Sequence, residues 1–252
     1  MPTILIVRPE AQAAADIAAC EAAGWRALPF SPITLEPDTS ALLRLNAQFQ
    51  AAQAVFWVSP GAVGTAAPHI DFSNGRIVQI TVGQASRNAL EKFCPHPVIS
   101  PETGNDSEAV LALPVWENLP AGAEVLIIRG HGGRGLLADE LRRRGFAVNT
   151  AEVYFRRPKP LDWQVFETEK PQAAYITSAE MVRELFARAP DRITQVLRTL
   201  LYFTHHPRIA DALRSAGAQR IELVERLNPH SLVSVAIYLP TGFKPCASRS
   251  NE

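Results

Sequence analysis

The chain has few cysteines, no net charge and no long apolar run, and each absence removes a class of function. Its 3 cysteines, Cys20, Cys94 and Cys246, are far apart and form no CxxC pair, so neither a disulfide framework nor a thiolate metal site is indicated. The 25 basic and 25 acidic residues cancel, which leaves no basic field to gather nucleic acid. The apolar runs are far shorter than the ~20 residues needed to span a bilayer. We therefore expect no metal, no nucleic-acid partner and no membrane partner.

Other missing features narrow the cellular setting and the chemistry. Residues 1–8 have neither the basic start nor the apolar length of a signal peptide, and they predict a first strand. With cysteines that form no framework, this favours a reducing, cytoplasmic setting. The chain also contains no Gly-x-Ser-x-Gly elbow, so hydrolysis by a serine nucleophile is not expected.

Short apolar runs alternate with stretches of helical pattern along most of the chain. This alternation predicts an α/β fold with parallel sheets flanked by helices. Gly24, Gly145 and Gly217 each follow a helical stretch, as left-handed caps do. The predicted strands are 3–7, 25–28, 54–58, 77–82, 97–100, 124–128, 147–153, 173–177, 200–204 and 220–224. The predicted helices are 10–23, 60–67, 84–93, 107–113, 134–144, 179–189, 207–216 and 230–238.

Two proline-rich, extended stretches divide the chain into two domains. They are typical of crossings between domains, and they flank residues 38–155, which form an inserted α/β domain in this interpretation. Residues 1–34 and 166–241 then fold together as a discontinuous second domain. The polar tail 242–252 is expected to be disordered. The prolines concerned are Pro29, Pro32, Pro37, Pro158 and Pro160.

Several predicted strands run into a small polar residue just before a helical pattern begins. The free N–H groups and the dipole of a helix N-terminus favour anions, so several such junctions indicate a ligand with several negative groups. Ser59, Ser86, Ser107 and Ser178 are the predicted N-caps. Capping without any further role is the alternative for each. If the strand ends of the two domains face each other, these junctions line a cleft between the domains.

The glycine-rich stretch 130–135 admits more than one function. It contains G-x-G-x-x-G between a predicted strand and helix, with Glu152 near the end of the next strand, which is a dinucleotide-binding context. Against this, Arg129 stands where an apolar residue is usual, and the motif lies midway through its domain. We favour backbone amides from Gly130 onward, with Arg129 and Arg134 as bidentate donors to carboxylates. A nicotinamide or flavin site and a glycine-rich turn without function are the alternatives.

Three further features of the sequence bear on the site. Arg8, at the end of the first predicted strand, is placed to face the cleft. Adjacent His205 and His206 point in opposite directions on a strand and have no third ligand at matching spacing, so they do not predict a metal site. Tyr154 stands where a strand leaves its domain, and its phenol can donate a hydrogen bond or act as a weak acid. Packing of an aromatic ring is the alternative for Tyr154.

Short motifs follow one another along nearly the whole chain, to about residue 240. They are Val7-Arg8-Pro9, Trp57-Val58-Ser59-Pro60-Gly61-Ala62-Val63, Val82-Gly83-Gln84-Ala85-Ser86, Ser107-Glu108, Arg129-Gly130-His131-Gly132-Gly133-Arg134, Val153-Tyr154-Phe155-Arg156-Arg157, Thr177-Ser178 and His206-Pro207-Arg208-Ile209-Ala210. In this order and spacing they resemble the uroporphyrinogen-III synthase family.

The resemblance implies a fold, a reaction and a set of residues. The fold is two α/β domains joined by a two-stranded linker, with the active site in the cleft between them. The reaction is the cofactor-free cyclisation of hydroxymethylbilane, a linear tetrapyrrole with eight carboxylates, by a monomeric hydro-lyase of haem biosynthesis. Ring D is inverted through a spiro intermediate, and the substrate is handed over from its own synthase. Tyr154 is the candidate to assist departure of the ring-A hydroxyl. The candidates for substrate binding are Arg8, Ser59, Gly83, Ser86, Ser107, Arg129, Gly130, Arg134, Ser178, His206 and Arg208.

Two motifs depart from the family pattern. Ser86 stands where the family often carries threonine, which retains the hydroxyl. The segment 206–209 reads His-Pro-Arg-Ile where many members read Gly-Pro-Thr-Thr. Two hydroxyls are lost there, and Arg208 is expected to take over the carboxylate contacts. The rival functions are a non-catalytic two-domain binding module for a small polyanion and a nucleotide-dependent oxidoreductase that uses residues 130–135.

Overall fold

The computed structural model describes residues 1–132 and 135–236, and the chain divides into two compact units. Unit 1 is formed by Met1–Thr34 and by the chain from Arg157 onward, and unit 2 by Leu35–Arg156. The sequence-based prediction ends the first domain segment at residue 34 and the inserted domain at residue 155. Arg134 and the predicted tail 242–252 lie outside the described residues.

Within the described residues, strands alternate with helices, and the predicted α/β class with parallel sheets is confirmed. The strands are β1 (Thr3–Val7), β2 (Arg26–Pro29), β3 (Ile33–Pro37), β4 (Ala54–Trp57), β5 (Val78–Thr81), β6 (Val98–Ile99), β7 (Glu124–Gly130), β8 (Ala147–Pro158), β9 (Ala173–Ile176), β10 (Leu201–Thr204) and β11 (Arg220–Leu223). The helices are α1 (Ala14–Ala22), α2 (Thr39–Ala51), α3 (Pro60–Ala66), α4 (Gln84–Leu90), α5 (Ser107–Leu111), α6 (Leu136–Arg143), α7 (Trp163–Glu169), α8 (Ala179–Arg188), α9 (Asp191–Thr199), α10 (Pro207–Ser215) and α11 (Pro229–Ala236).

Unit 1 contains a parallel sheet in the order β11-β10-β9-β1-β2. Its central strands are apolar on both faces because helices cover both. On β1, Leu5 and Val7 belong to one core with residues of α7 to α10, whereas Ile4 and Ile6 belong to a second core with Trp25. The predicted cap glycines of this unit, Gly24 and Gly217, have φ of 74° and 91°.

Unit 2 contains the sheet β3-β8-β7-β4-β5-β6. The strands from β8 to β6 pair in parallel, and β4 is buried along its whole length. A β-bulge interrupts the pairing of β7 with β8: Arg129 pairs with Glu152, but the next residue, Gly130, pairs with Tyr154. Such bulges re-aim side chains at strand ends. Here the bulge sets Tyr154 beside a residue without a side chain.

The structure adds to the sequence-based elements in two ways. The proline-rich stretches expected as crossings between domains contain strands that pass the unit boundaries: β3 ends at Pro37 and β8 continues to Pro158. β3 lies at the sheet edge, where a missing N–H is tolerated. Helices α2, α7 and α9 were not predicted. Of these, α2 carries Leu42, Leu45 and Phe49 on one buried face.

The helices of the described chain are too short or too polar to cross a membrane.

Candidate functional site

Ser59 caps helix α3 in unit 2, as predicted. Its Oγ accepts a hydrogen bond from the Ala62 N–H at 3.1 Å, and its backbone is extended. The cap follows directly from the end of β4, which leads into α3 through Val58. The hydroxyl therefore stands at the carboxyl edge of the sheet, where ligands bind in open parallel sheets.

Ser86 and Ser107 do not cap their helices, which corrects the prediction. Ser86 is the third residue of α4, whose N-cap is Gly83, and the Ser86 side chain is buried. Its Oγ has no hydrogen-bond partner within the described chain. Ser107 is the first residue of α5, and the cap is Asp106, whose carboxylate accepts from the Ala109 N–H at 3.0 Å. The carboxylate one residue earlier in the chain takes the position that the hydroxyl was expected to fill.

Tyr154 lies at the centre of the polar groups at this edge. Its side chain is 2% exposed, and its hydroxyl lies 3.4 Å from Ser59 Oγ. A Cβ on Gly130 would stand only 2.4 Å from the Cε2 and Cζ atoms of the ring. The His131 N–H donates to the Tyr154 carbonyl at 2.9 Å. The backbone at residues 130–131 therefore determines where the phenol lies.

Arg156 also reaches the phenol, although the sequence-based site did not include it. Its Nη2 donates to the Tyr154 hydroxyl at 3.2 Å, and its Nη1 donates to the His131 carbonyl at 3.1 Å. The guanidinium carbon stands 5.3 Å from the centroid of the Tyr154 ring. The signal in the sequence is the spacing: residues two apart on a strand share one face.

A charged network adjoins the phenol and contains one of the predicted substrate-binding residues, Arg129. Arg129 donates to one oxygen of Glu152 at 2.9 Å, and the His131 Nδ1 lies 3.3 Å from the other. The His131 Nε2 lies 3.0 Å from Asp38, and its ring stacks on Phe155 at 3.9 Å. The Ala41 N–H, and secondarily His131, hold the pKa of Asp38 below its ordinary value. In a dinucleotide site, the Glu152 carboxylate would bind a ribose hydroxyl. Here that carboxylate is bound by Arg129 instead.

Gly83 and Gly130 are placed differently from each other. Gly130 ends β7 against the Tyr154 ring, whereas Gly83 precedes α4 with extended backbone, φ 172°. A Cβ at Gly83 would fall 1.9 Å from Asn105 Oδ1. Asn105 thus packs against Gly83 just before α5, and sequence patterns gave no sign of this contact.

In unit 1, the predicted residues follow three neighbouring strands. Arg8 follows β1, Ser178 comes after β9 and His206 comes after β10, and the parallel register aligns these strand ends along one edge. Ser178 caps α8 as predicted, accepting from the Met181 N–H at 3.1 Å. The His206 Nδ1 caps α10 by accepting from the N–H of Arg208 at 3.1 Å. Arg208 itself is exposed.

Arg8 is paired within its own unit. Its Nη1 lies 2.5 Å from Asp16 Oδ2, and its Nη2 donates to Gln12 at 3.4 Å. Burial raises the pKa of Asp16, and the neighbouring Arg8 opposes that rise. Burial, together with His206 and Arg8, lowers the pKa of His205. In the part of the chain that is described, no three or more His, Cys, Asp or Glu side chains group to hold a metal ion.

The chain matches known proteins along most of its length. The family model for uroporphyrinogen-III synthase HemD matches residues 14–234. The chain belongs to the uroporphyrinogen-III synthase family. Uroporphyrinogen-III synthase of Salmonella typhimurium is 29% identical over 243 residues, which cover 92% of this chain and 98% of that protein. The Escherichia coli enzyme is 29% identical over 161 residues, covering 60% of this chain and 63% of the relative.

A solved member of the family shares the fold. A mutant uroporphyrinogen III synthase from Thermus thermophilus superposes with a TM-score of 0.58 at 19% identity, covering 94% of this chain and 98% of that one. The family match includes Tyr154 and every predicted substrate-binding residue except Arg8, which precedes residue 14. The resemblance inferred from the motifs is thereby confirmed, and uroporphyrinogen-III synthases act in haem biosynthesis.

Proposed function

We propose that this chain cyclises hydroxymethylbilane to uroporphyrinogen III without a cofactor, with Tyr154 as its catalytic residue. Membership of the family supports the reaction. The observation that supports the residue is the buried Tyr154, whose hydroxyl lies 3.4 Å from Ser59 Oγ at the carboxyl edge of the unit 2 sheet. We also propose that the protein is monomeric and cytoplasmic and that it receives its substrate from the preceding synthase.

The reaction requires one proton to be given and one to be taken back. Tyr154 donates its phenolic proton to the ring-A hydroxyl, which leaves as water and creates an azafulvenium cation. The substituted carbon of ring D attacks that cation and forms a spiro intermediate. The intermediate fragments and recloses with ring D inverted, and the proton lost on rearomatisation restores the phenol. No electron acceptor is needed, because no group is oxidised or reduced.

Positioning is the larger part of the proposed catalysis. Hydroxymethylbilane closes without an enzyme to the isomer in which ring D is not inverted, so the protein must hold ring D and the chain in one geometry. Holding reacting groups in place lowers a barrier by several kcal/mol. Backbone amides and hydroxyls at the carboxyl ends of the strands, including those at Ser59 and Ser178, are the proposed carboxylate contacts. In unit 1, segment 206–209 lacks two hydroxyls that many family members carry, and the exposed Arg208 is the proposed carboxylate contact in their place.

The Tyr154→Phe variant tests the catalytic role. Losing a general acid typically costs 10²-fold or more, so we expect kcat for the type III isomer to fall by about a hundredfold. The measurement is initial rate on hydroxymethylbilane generated in situ, followed by oxidation and chromatographic separation of the isomers. Thermal unfolding should show that the variant remains folded.

Tyr202→Phe is the matched control. Tyr202 lies in the unit 1 core, and its hydroxyl donates to the Leu197 carbonyl at 3.0 Å. Losing that buried hydrogen bond should destabilise the protein by about 1 kcal/mol and leave turnover unchanged. Equal turnover for Tyr154→Phe and wild type would remove Tyr154 from the catalytic role.

A further inference from the structure

Arg156 and Tyr154 lie two residues apart on β8, and their side chains meet. The guanidinium donates to the phenolic oxygen at 3.2 Å and, through its other terminal nitrogen, to the His131 carbonyl at 3.1 Å. A guanidinium has donors and no acceptor. The Tyr154 oxygen therefore accepts this hydrogen bond, and the phenolic hydrogen must point to a different acceptor.

From this geometry we propose that Arg156 is a positioning residue that makes Tyr154 a proton donor. The inference rests on the function proposed above. By occupying a lone pair of the phenolic oxygen, Arg156 directs the O–H away from itself, toward Ser59 or a substrate hydroxyl. When Tyr154 gives up its proton, the guanidinium stands beside the phenolate and stabilises its charge. The proton returned at rearomatisation resets the pair.

The charged network of unit 2 holds the second anchor of Arg156. The acceptor for that anchor is the His131 carbonyl, and the His131 ring lies between Asp38 and Glu152, at 3.0 Å and 3.3 Å. The same ring stacks on Phe155. The Nε2 contact and the stacking hold the His131 side chain, and the His131 N–H, which donates to the Tyr154 carbonyl at 2.9 Å, holds its backbone. The network thus orients Arg156, and Arg156 orients Tyr154.

A double-mutant cycle tests the proposal in the full chain. Arg156→Gln should lower kcat for type III formation about tenfold, the value of one hydrogen bond to a charged group, with KM changed by less than about twofold. In the Tyr154→Phe background, the same change should alter kcat by less than about twofold. Arg156→Lys, which keeps a charged donor, should lose less activity than Arg156→Gln. Arg157→Gln removes the same charge one residue further along and should leave kcat unchanged.

Losses that multiply independently in the double variant, or a rise in KM alone, would overturn the proposal, since Arg156 would then act without the phenol. A second readout needs no turnover: the ¹³Cζ chemical shift of labelled Tyr154, assigned by its loss in Tyr154→Phe. It should move in Arg156→Gln and stay in place in Arg157→Gln. An unmoved shift in Arg156→Gln contradicts the hydrogen bond. Wild-type protein that gives only the type I isomer would defeat the proposed function instead, whatever the shift shows.

Discussion

At the scale of single residues, the position of Tyr154 depends on what Gly130 lacks. The bulge between β7 and β8 brings the two residues opposite each other, and the ring occupies the space where a Cβ at residue 130 would be. A glycine that ends a strand in this way is explained by close packing. Its backbone conformation is not among the left-handed glycines of the described chain.

Gly130→Ala should therefore disturb the phenol directly. The added methyl would stand 2.4 Å from two ring atoms of a side chain that is 2% exposed, so the ring must move. We expect a loss of about 1–3 kcal/mol in the free energy of unfolding, as in other overpacked cores, and at least a tenfold fall in kcat for a displaced catalytic group. Chemical denaturation and the isomer-resolved rate assay measure the two effects.

Gly64→Ala provides the matched control. Gly64 lies in α3, where an added Cβ would meet nothing within 4 Å. Turnover should be unchanged, and helix propensity should raise stability by up to about 1 kcal/mol. If Gly130→Ala behaved like Gly64→Ala, the ring could not lie where the structure has it.

At the scale of helices and strands, the sequence predicted most of the sheets and fewer of the helices. Buried parallel strands such as β4 and β9 appear as short unbroken apolar runs, because both of their faces are covered. Helix α2 was missed although Leu42, Leu45 and Phe49 recur at helical spacing on its buried face. β3 was read as a linker because prolines flank and end it. An edge strand tolerates those prolines, but edge position is a property of the whole sheet.

The residues of the candidate site were also only partly predictable from the sequence. Ser59 and Ser178 were predictable as caps because the signal is local: a strand, a hydroxyl and a helix start. The pairing of His131 with Asp38 joins residues 93 positions apart, and that of Arg129 with Glu152 joins residues 23 apart. Nothing in a single sequence states which charged residues will meet. Arg156 could have been predicted as a neighbour of Tyr154, because residues two apart on a strand share one face.

The start of α5 offers a test at this scale. Asp106→Ala should destabilise the protein by about 1 kcal/mol, because the carboxylate that accepts from the Ala109 N–H is lost. Asp106→Asn keeps a capping oxygen and should lose much less. Ser107→Ala, one residue further on, should lie within about 0.5 kcal/mol of wild type. Urea unfolding of the three variants measures this, and a larger loss in Ser107→Ala than in Asp106→Ala would restore Ser107 as the cap.

At the scale of the whole molecule, the net charge is zero, but the chain contains many local charge pairs and a few buried titratable groups. Burial raises the pKa of Tyr175 and of the Cys20 thiol each to about 12, so both stay uncharged at neutral pH. Asp16 and His205 are perturbed in directions that make folding depend on pH. The raised pKa of Asp16 adds stability at low pH that is lost as pH rises through its folded value.

His205 acts in the opposite sense. Its folded pKa lies below the ordinary 6.5, so the unfolded chain binds a proton more readily. Its contribution to stability is complete above about pH 6.5 and is lost as pH falls through the lowered folded value. The free energy of unfolding of His205→Asn should therefore fall less than that of wild type between pH 7.5 and pH 5, a range chosen to bracket about 6.5. Urea titrations at each pH give the difference between the free energies of unfolding of the two proteins. Asp16 is present in both, so its contribution cancels in that difference. Parallel pH profiles would contradict the burial of a neutral imidazole.

The isomer that the protein forms is the most direct test of the proposed reaction. The most direct measurement supplies hydroxymethylbilane from its synthase, adds the purified wild-type protein, oxidises the products and separates the two isomers by chromatography. A reaction without the protein gives the uncatalysed background of type I. We expect predominantly type III product, formed in proportion to the amount of protein added. Type I alone, from protein shown to be folded, would contradict the proposed cyclisation.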